Sequence, residues 1–481
     1  MSARTESRIE GTDVANARSA KARSAGSGAL AALSLSMLLS SLGTSVANVA
    51  LPTLARSLGA SFQAVQWIVL AYLLAVTTMV VGVGRLGDIV GRRRLLLGGV
   101  SLFTSASLVC GIAPALSVLL VARGAQGIGA AVMMALTMAF VGETVPKERT
   151  GSAMGLLGTM SAIGTALGPS FGGVLLAGPG WRALFLINVP LGAVALVLTR
   201  MYLPADREVA NSSRPAFDFL GTALLAFTLG TYALGMTTGR GNFGVQNAAL
   251  LGSAALGAAL FARVEARSSA PLVRLSLLAD RMLSARLAAN ALVSTVVMAT
   301  LVVGPFYLTR ALSLSSAFVG LVMSVGPIVA AIASVPAGRL SDHYGVRRVT
   351  FLGLSATALG ATLLWTLPAR LGVVGYAISI AIVTAGYSLF QTANNAAVMS
   401  DVGADERGVV AGLLALSRNL GLVTGASVMG ALFALASGSN DIATAAPAQV
   451  ALGMRVTFAI ASILVVGALL LTSGARVRRV A

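Results

Sequence analysis

"GRLGDIVGRRR", residues 84–94, returns as "GRLSDHYGVRR", residues 338–348, each time between long apolar runs. Arginines alone would suffice to anchor a turn at a membrane surface. That reading leaves unexplained why Gly84, Asp88 and Gly91 come back as Gly338, Asp342 and Gly345, 254 residues later. A second pair of segments agrees. "GLLGTMSAIGTALGPSFGG", residues 155–173, aligns at an offset of 257 with the stretch ending at Gly430, matching Gly155, Gly164, Gly168 and Gly173 to Gly412, Gly421, Gly425 and Gly430. Two offsets this close indicate two homologous halves.

The rest of the chain says what medium the halves occupy. Of its 481 residues 56% are hydrophobic and only 10% charged, whereas soluble domains carry about 25% charged residues. About fourteen apolar runs reach the roughly 20 residues needed to span a bilayer, centred near residues 38, 73, 103, 130, 163, 192, 227, 255, 297, 327, 358, 381, 420 and 460. Residues 1–26 are polar and read as a disordered tail. The run that follows leads straight into further spans, which marks it as a retained helix and not a cleaved signal.

Lys and Arg total 34 against 16 acids, a formal charge of +18. A soluble protein so basic would suggest nucleic acid. Here about 26 of the basic residues fall in alternate loops and the two tails, and only Arg56, Arg182, Arg240, Arg310 and Arg370 in the loops between. The positive-inside rule then makes both termini and both charged turns cytoplasmic, and no nucleic-acid partner is expected. Because both turns lie on the same side, the repeat is parallel, about an axis along the membrane normal. The offset leaves room for two extra spans. The expected layout is an all-α membrane fold: tail 1–26, six-helix bundle 27–205, two inserted helices with their loops 206–283, six-helix bundle 284–474, tail 475–481.

These residues resemble the major facilitator superfamily, and the fourteen-span layout is similar to its drug:proton antiporter group. Residues 84–94 match the signature between helices 2 and 3, and "RGAQGIGAA", 123–131, the arginine motif of helix 4. Gly155, Gly164, Gly168, Pro169, Gly172 and Gly173 match the antiporter motif of helix 5. "NVALP", 48–52, "QWIVLAYLL", 66–74, and "WRALFLINVPLG", 181–192, match further signatures. The resemblance implies proton-coupled export of drugs or other amphiphiles by alternating access, as a monomer in the cell (inner) membrane. It also implies that Gly84, Asp88, Gly91, Arg92, Gly338, Asp342 and Gly345 form a conformational latch, and that Arg123 takes part in proton transfer.

Residue by residue, the physical reading is narrower. Gly84 lets a helix end pack closely, Gly91 permits a turn, and Asp88 can pair with a neighbouring arginine or a helix N-terminus. Arg123 sits deep in a span, where a charge needs a cavity or a partner. Gly164, Gly168 and Gly172 stack on one helix face for close contact, and Pro169 bends that helix; the second half has Ala426 in its place. Many members of the group carry an aspartate nine residues before the proline of the first-helix motif, and here that position is Gly43. Proton-coupling candidates are therefore Arg123, Glu143 and Asp218, with Asp88 in reserve. Asn48, Gln66, Tyr72, Gln126, Asn188, Gln391, Asn394, Asn395 and Arg418 are candidates for the cavity wall. With Arg123 and Arg418 deep and no acid at comparable depth, the cavity suits neutral or anionic amphiphiles. One histidine, His343, and one cysteine, Cys110, exclude a His- or Cys-built metal site and a membrane enzyme needing gathered carboxylates and histidines. No GxxxxGK[ST] loop provides for ATP drive, and no cofactor is expected.

Overall fold

A computed structural model describes residues 2–144, 150–206, 217–238, 244–268, 272–273, 275–400, 407–438, 442 and 444–474. The surroundings of residues 2–26, where the tail was expected, lie outside the described residues. Backbone polar groups in lipid must be satisfied internally, and every regular element among the described residues is helical. Among the described residues fourteen helices are long and apolar enough to cross a membrane. The first six are α1 Ser27–Ser57, α2 Phe62–Val80, α3 Arg92–Ile112, α4 Leu116–Val141, α5 Leu156–Ala177 and α6 Ala183–Tyr202. Two inserted helices follow, α7 Phe219–Thr237 and α8 Val245–Glu265. The last six are α9 Arg281–Ala311, α10 Ser316–Ser334, α11 Val346–Thr366, α12 Pro368–Met399, α13 Val409–Ser437 and α14 Pro447–Gly474.

The repeat read from the charged turns recurs in the packing. A methyl group on Gly129 of α4 would stand 2.6 Å from the Gly99 carbonyl of α3; its counterpart on Gly386 of α12 would stand 2.7 Å from the Gly353 carbonyl of α11. On α5, Gly164 lies against the Leu38 carbonyl and Ser41 of α1, as Gly421 of α13 lies against the Ala291 carbonyl and Ser294 of α9. Polar side chains stitch the same seams: Ser41 Oγ to Ser161 Oγ at 2.8 Å in the first half, Thr295 Oγ1 to the Gly421 carbonyl at 3.1 Å in the second. Close backbone approach of this kind is how helices adhere without a hydrophobic driving force between them.

Acids near the charged end cap helix N-termini that start there, where the helix dipole favours them. Asp218 Oδ1 accepts from the Gly221 amide at 2.7 Å at the start of α7, and Asp280 Oδ1 from Met282 at 2.8 Å at the start of α9. The inserted pair breaks the symmetry. Helix α8 packs chiefly on α7, while α7 touches both α2 and α13, through Trp67 Nε1 to Thr237 Oγ1 (3.1 Å) and Tyr232 Oη to Thr424 Oγ1 (3.1 Å).

The glycine contacts set a sharp expectation for neighbouring positions. Gly99→Val places its Cβ 2.5 Å from Val132, whereas Gly98 faces open space. Overpacking of this order costs about 1–3 kcal/mol, so Gly99→Val should lower the melting temperature of the detergent-purified protein by several degrees and Gly98→Ala should leave it unchanged.

Candidate functional site

The two halves meet at the end opposite the charged turns, along seams that are themselves related by the repeat. In one, Gly173 of α5 meets Gly320 of α10: a methyl group on Gly320 would stand 2.5 Å from the Gly173 Cα and 2.7 Å from the Pro169 carbonyl. In the other, Gly430 of α13 meets the Gln66 side chain of α2. Gln66 is the residue that takes Gly320's place in the first half, and its Nε2 donates to the Ala426 carbonyl at 2.8 Å. Ala426 in turn stands where Pro169 stands. One seam is thus closed by bare backbone on a proline carbonyl, the other by a glutamine reaching an alanine carbonyl. Between them Phe62 of α2 packs edge-on against Phe306 of α9 at 4.8 Å and Phe433 of α13 at 5.5 Å, all three fully buried. Helix α13 takes a π turn over Gly425–Met429 at this point, a local irregularity that often marks a functional position.

The charged turns, by contrast, do not tie the halves together. Asp88 pairs with Arg92 at 3.0 Å within its own turn. Asp342 is exposed and has Val346 where Arg92's counterpart would be. Among the described residues no ion pair joins one half to the other. Both turns do bend at glycine, with φ of +102° at Gly91 and +83° at Gly345. The close packing expected of Gly84 is absent: it and Gly338 face open space. The N-terminus of α3 is capped not by Asp88 but by Asp206 after α6, which accepts from the Arg93 amide at 2.7 Å and the Arg94 amide at 3.0 Å. A methyl group on Gly91 would fall 2.6 Å from the Asp206 carboxylate, so Gly91 supplies room as well as a turn.

Arg123 is fully buried in the first bundle. Its Nε donates to the Ile68 carbonyl at 2.9 Å, and its Nη1 to the Gly43 carbonyl at 3.1 Å and to Gln126 Oε1 at 2.5 Å. The guanidinium lies 4.3 Å from the centre of the Tyr72 ring, a cation–π contact favoured by desolvation. Its Nη2 has no partner. Gly43 lies directly alongside: a Cβ there would stand 3.2 Å from Tyr72 Oη and 3.1 Å from Phe103. The position of the absent first-helix aspartate is therefore the position beside Arg123, and here main-chain carbonyls and a ring face do the work of a counter-ion.

Of the cavity-wall candidates, Asn48, Tyr72, Gln126 and Asn188 lie fully buried in the first bundle. Tyr72 Oη donates to the Ser40 carbonyl at 2.7 Å, Gln126 Nε2 to Ser107 Oγ at 2.7 Å, and Asn48 Nδ2 back to its own helix at Thr44 and Ser45; Asn188 likewise turns to Leu184. Gln66 belongs to the seam. In the second half Gln391, Asn395 and Arg418 are half-buried and Asn394 is buried. Gln391 Oε1, both amide atoms of Asn394 and Arg418 Nε have no hydrogen-bond partner, which leaves a set of uncommitted polar atoms on α12 and α13. In α5, Gly168 packs on Ser45 and Gly172 on Val49 of α1, and Pro169 is buried. The surroundings of Gly155 and Glu143 lie outside the described residues. Asp218 is at the charged end of α7, beside Glu265 of α8, an acid the sequence reading did not single out.

Comparisons with known proteins fit this geometry. The Major Facilitator Superfamily matches residues 33–426 and again 286–480. The multidrug resistance protein Stp of Mycobacterium tuberculosis is 32% identical over 84% of this chain and 75% of its own length. The riboflavin transporter RibZ of Clostridioides difficile is 30% identical over 83% of the chain and 86% of its own. A bacterial homolog of the human lysosomal transporter Spinster, solved in an inward-facing and occupied conformation, superposes with a TM-score of 0.69 at 16% identity, covering 93% of this chain and 96% of that one.

Removing the Gln66 hydrogen bond tests the seam. A net loss of about 1 kcal/mol shifts a two-state equilibrium about five-fold. Gln66→Ala should therefore reduce the population closed at this end by that factor. Gly320→Val, which cannot seat against Gly173, should abolish closure and lower transport at least ten-fold at normal expression, measured as vesicle uptake per amount of protein.

Proposed function

The chain belongs to the Major Facilitator Superfamily, a multi-pass transporter family and not an enzyme, and from that premise we propose that it exports neutral or anionic amphiphilic small molecules by proton-driven alternating access. The observation that carries the reading is the one-ended closure: two repeat-related seams and an aromatic plug hold the halves together at one end, while among the described residues no ion pair joins them at the other. With the charged turns and both termini in the cytoplasm, this is an inward-facing conformer of a protein in the cell membrane, acting as a monomer. The uncommitted atoms of Gln391, Asn394 and Arg418 offer donors and acceptors to a ligand from one side of the path. Among the described residues no acid pairs with Arg418, which favours a neutral or anionic molecule over a cationic one.

Closure of the cytoplasmic end brings the charged turns together, and Asp88 then exchanges Arg92 for a partner across the gap. Helix α5, which carries Pro169 within it and packs on α1 through Gly164, Gly168 and Gly172, is the element that swings. Proton entry supplies the drive, about 2.3 kcal/mol per 100 mV and about 1.4 kcal/mol per pH unit. The likeness to RibZ supports a second reading, a dedicated exporter or importer of one metabolite that is not proton-coupled.

Everted vesicles separate these readings. Uptake of fluorescein, a neutral dye, ethidium and riboflavin is followed under an imposed pH gradient. The proposal expects pH-driven uptake of the anionic and neutral dyes and little of ethidium; uptake of riboflavin alone favours the dedicated carrier, and no response to the gradient removes proton drive. Asp88→Asn and Pro169→Ala should each lower the rate about ten-fold or more without changing expression.

A further inference from the structure

The first sign of an additional site is a glycine. A methyl group on Gly221 in the first turn of α7 would stand 2.6 Å from Asp218 Oδ2 and 2.6 Å from Glu265 Oε1, so two carboxylate oxygens from different helices converge on the space its missing side chain leaves. Each acid is already committed by its other oxygen. Asp218 Oδ1 caps α7 at Gly221. Glu265 Oε2 accepts from the buried Val273 amide at 3.0 Å. The two facing oxygens are buried and have no hydrogen-bond partner, and Glu265 is only 3% exposed.

Two like charges converging in this way cannot both remain ionised at low cost, and a carboxylate pair relieves the strain by holding one proton between them. Among the described residues no base is paired with either acid. Asp218 is the only charged group among the described residues that faces Glu265. Arg263 on α8, Arg267 just after it and Arg85 in the first charged turn are exposed and form no ion pair with it. Arg274 lies outside the described residues.

The segment held by Glu265 gives the site a consequence. Leu272 packs beside Phe217 over Gly82 at the end of α2. Leu272 and Val273 belong to one apolar cluster with Leu74 and Val81 of α2 and with Val398, Leu413 and Leu416 of the second half. The strap thus shares an apolar cluster with residues of both halves.

We propose that Asp218 and Glu265 form a proton-binding site that clasps the strap at Leu272–Val273 to the two bundles when a single proton is shared between them, and releases it when the proton leaves. The step is a protonation only: the proton comes from the aqueous phase at the charged end, binds one facing oxygen, is shared by hydrogen bond with the other, and returns the same way. Its use in coupling rests on the proton-driven reading above; its chemistry does not.

Hydrogen–deuterium exchange of the full chain in lipid nanodiscs, at acidic and alkaline pH and corrected for intrinsic exchange, reads the clasp without a substrate. In the wild type the peptide carrying Val273 should lose about ten-fold protection on passing from acidic to alkaline buffer, since the proton-bound pair is the stabilising form and is lost as pH rises. Glu265→Gln should keep that peptide protected at both pH values, because an amide can donate to Asp218 and cannot ionise. Glu265→Ala should leave it unprotected at both. A wild-type peptide insensitive to pH, or a Glu265→Gln protein that titrates like the wild type, overturns the proposal. Vesicle transport by the same variants is scored separately: absence of pH-driven transport in the wild type removes the proton-driven function while the exchange result still decides the site.

Discussion

Helices immersed in lipid gain little from setting one apolar side chain against another, so they adhere where their backbones can approach closely, and in this chain that approach depends on glycine. Gly99 with Gly129 and Gly353 with Gly386 join the third and fourth helices of each half; Gly164 and Gly421 join the fifth to the first. The same device is used between the halves at Gly173–Gly320 and Gly430–Gln66. Within a half, several such glycines act along the length of a helix pair. Between halves they act at one end, and the other end is left without an ionic tie among the described residues.

The inserted helices qualify this two-fold picture. Helix α7 bonds to α2 through Thr237 and to α13 through Thr424, so it lies over one of the two seams and not the other. Together with the difference between Pro169–Gly320 and Ala426–Gln66, this makes the two seams unequal in composition and in cover. A rocking motion through such an interface opens against a hydrogen-bonding glutamine on one side and bare backbone on the other. An apolar recess of about 370 Å³ between α7, α9, α13 and α14, lined by Met236, Leu292, Val428 and Leu464, lies on the covered side.

Much of this was legible in the sequence, and the reason is periodic. The charged phrase and the glycine ladder each repeat, and Gly164, Gly168 and Gly172 of the ladder do lie along one neighbouring helix, α1. The fourteen spans were legible because a span needs only length and apolarity. What the sequence hid was direction. Asn48, Tyr72, Gln126 and Asn188 are polar residues in membrane spans, and nothing in their spacing tells a cavity wall from a bundle interior; Arg123 draws two of them inward. Asp206 and Glu265 were passed over because each stands in a loop or at a helix end among ordinary charges, and only the fold sets Asp206 against the Arg93 and Arg94 amides and Glu265 beside Asp218. The missing aspartate at position 43 was visible at once, but only the structure places Gly43 against Arg123.

The proposed transport cycle requires that the two halves be rigid bundles closed at the end opposite the charged turns and able to exchange that closure for the other. Pulsed electron-spin distances test it most directly, with Cys110 replaced by serine and spin labels at two pairs of exposed positions, Arg94 with Arg348 at the charged end and Arg56 with Arg370 at the opposite end. On shifting the protein between its two conformers the account predicts anticorrelated changes, the 94–348 distance shortening as the 56–370 distance lengthens. Distances that stay fixed in both pairs, or lengthen and shorten together, would contradict it.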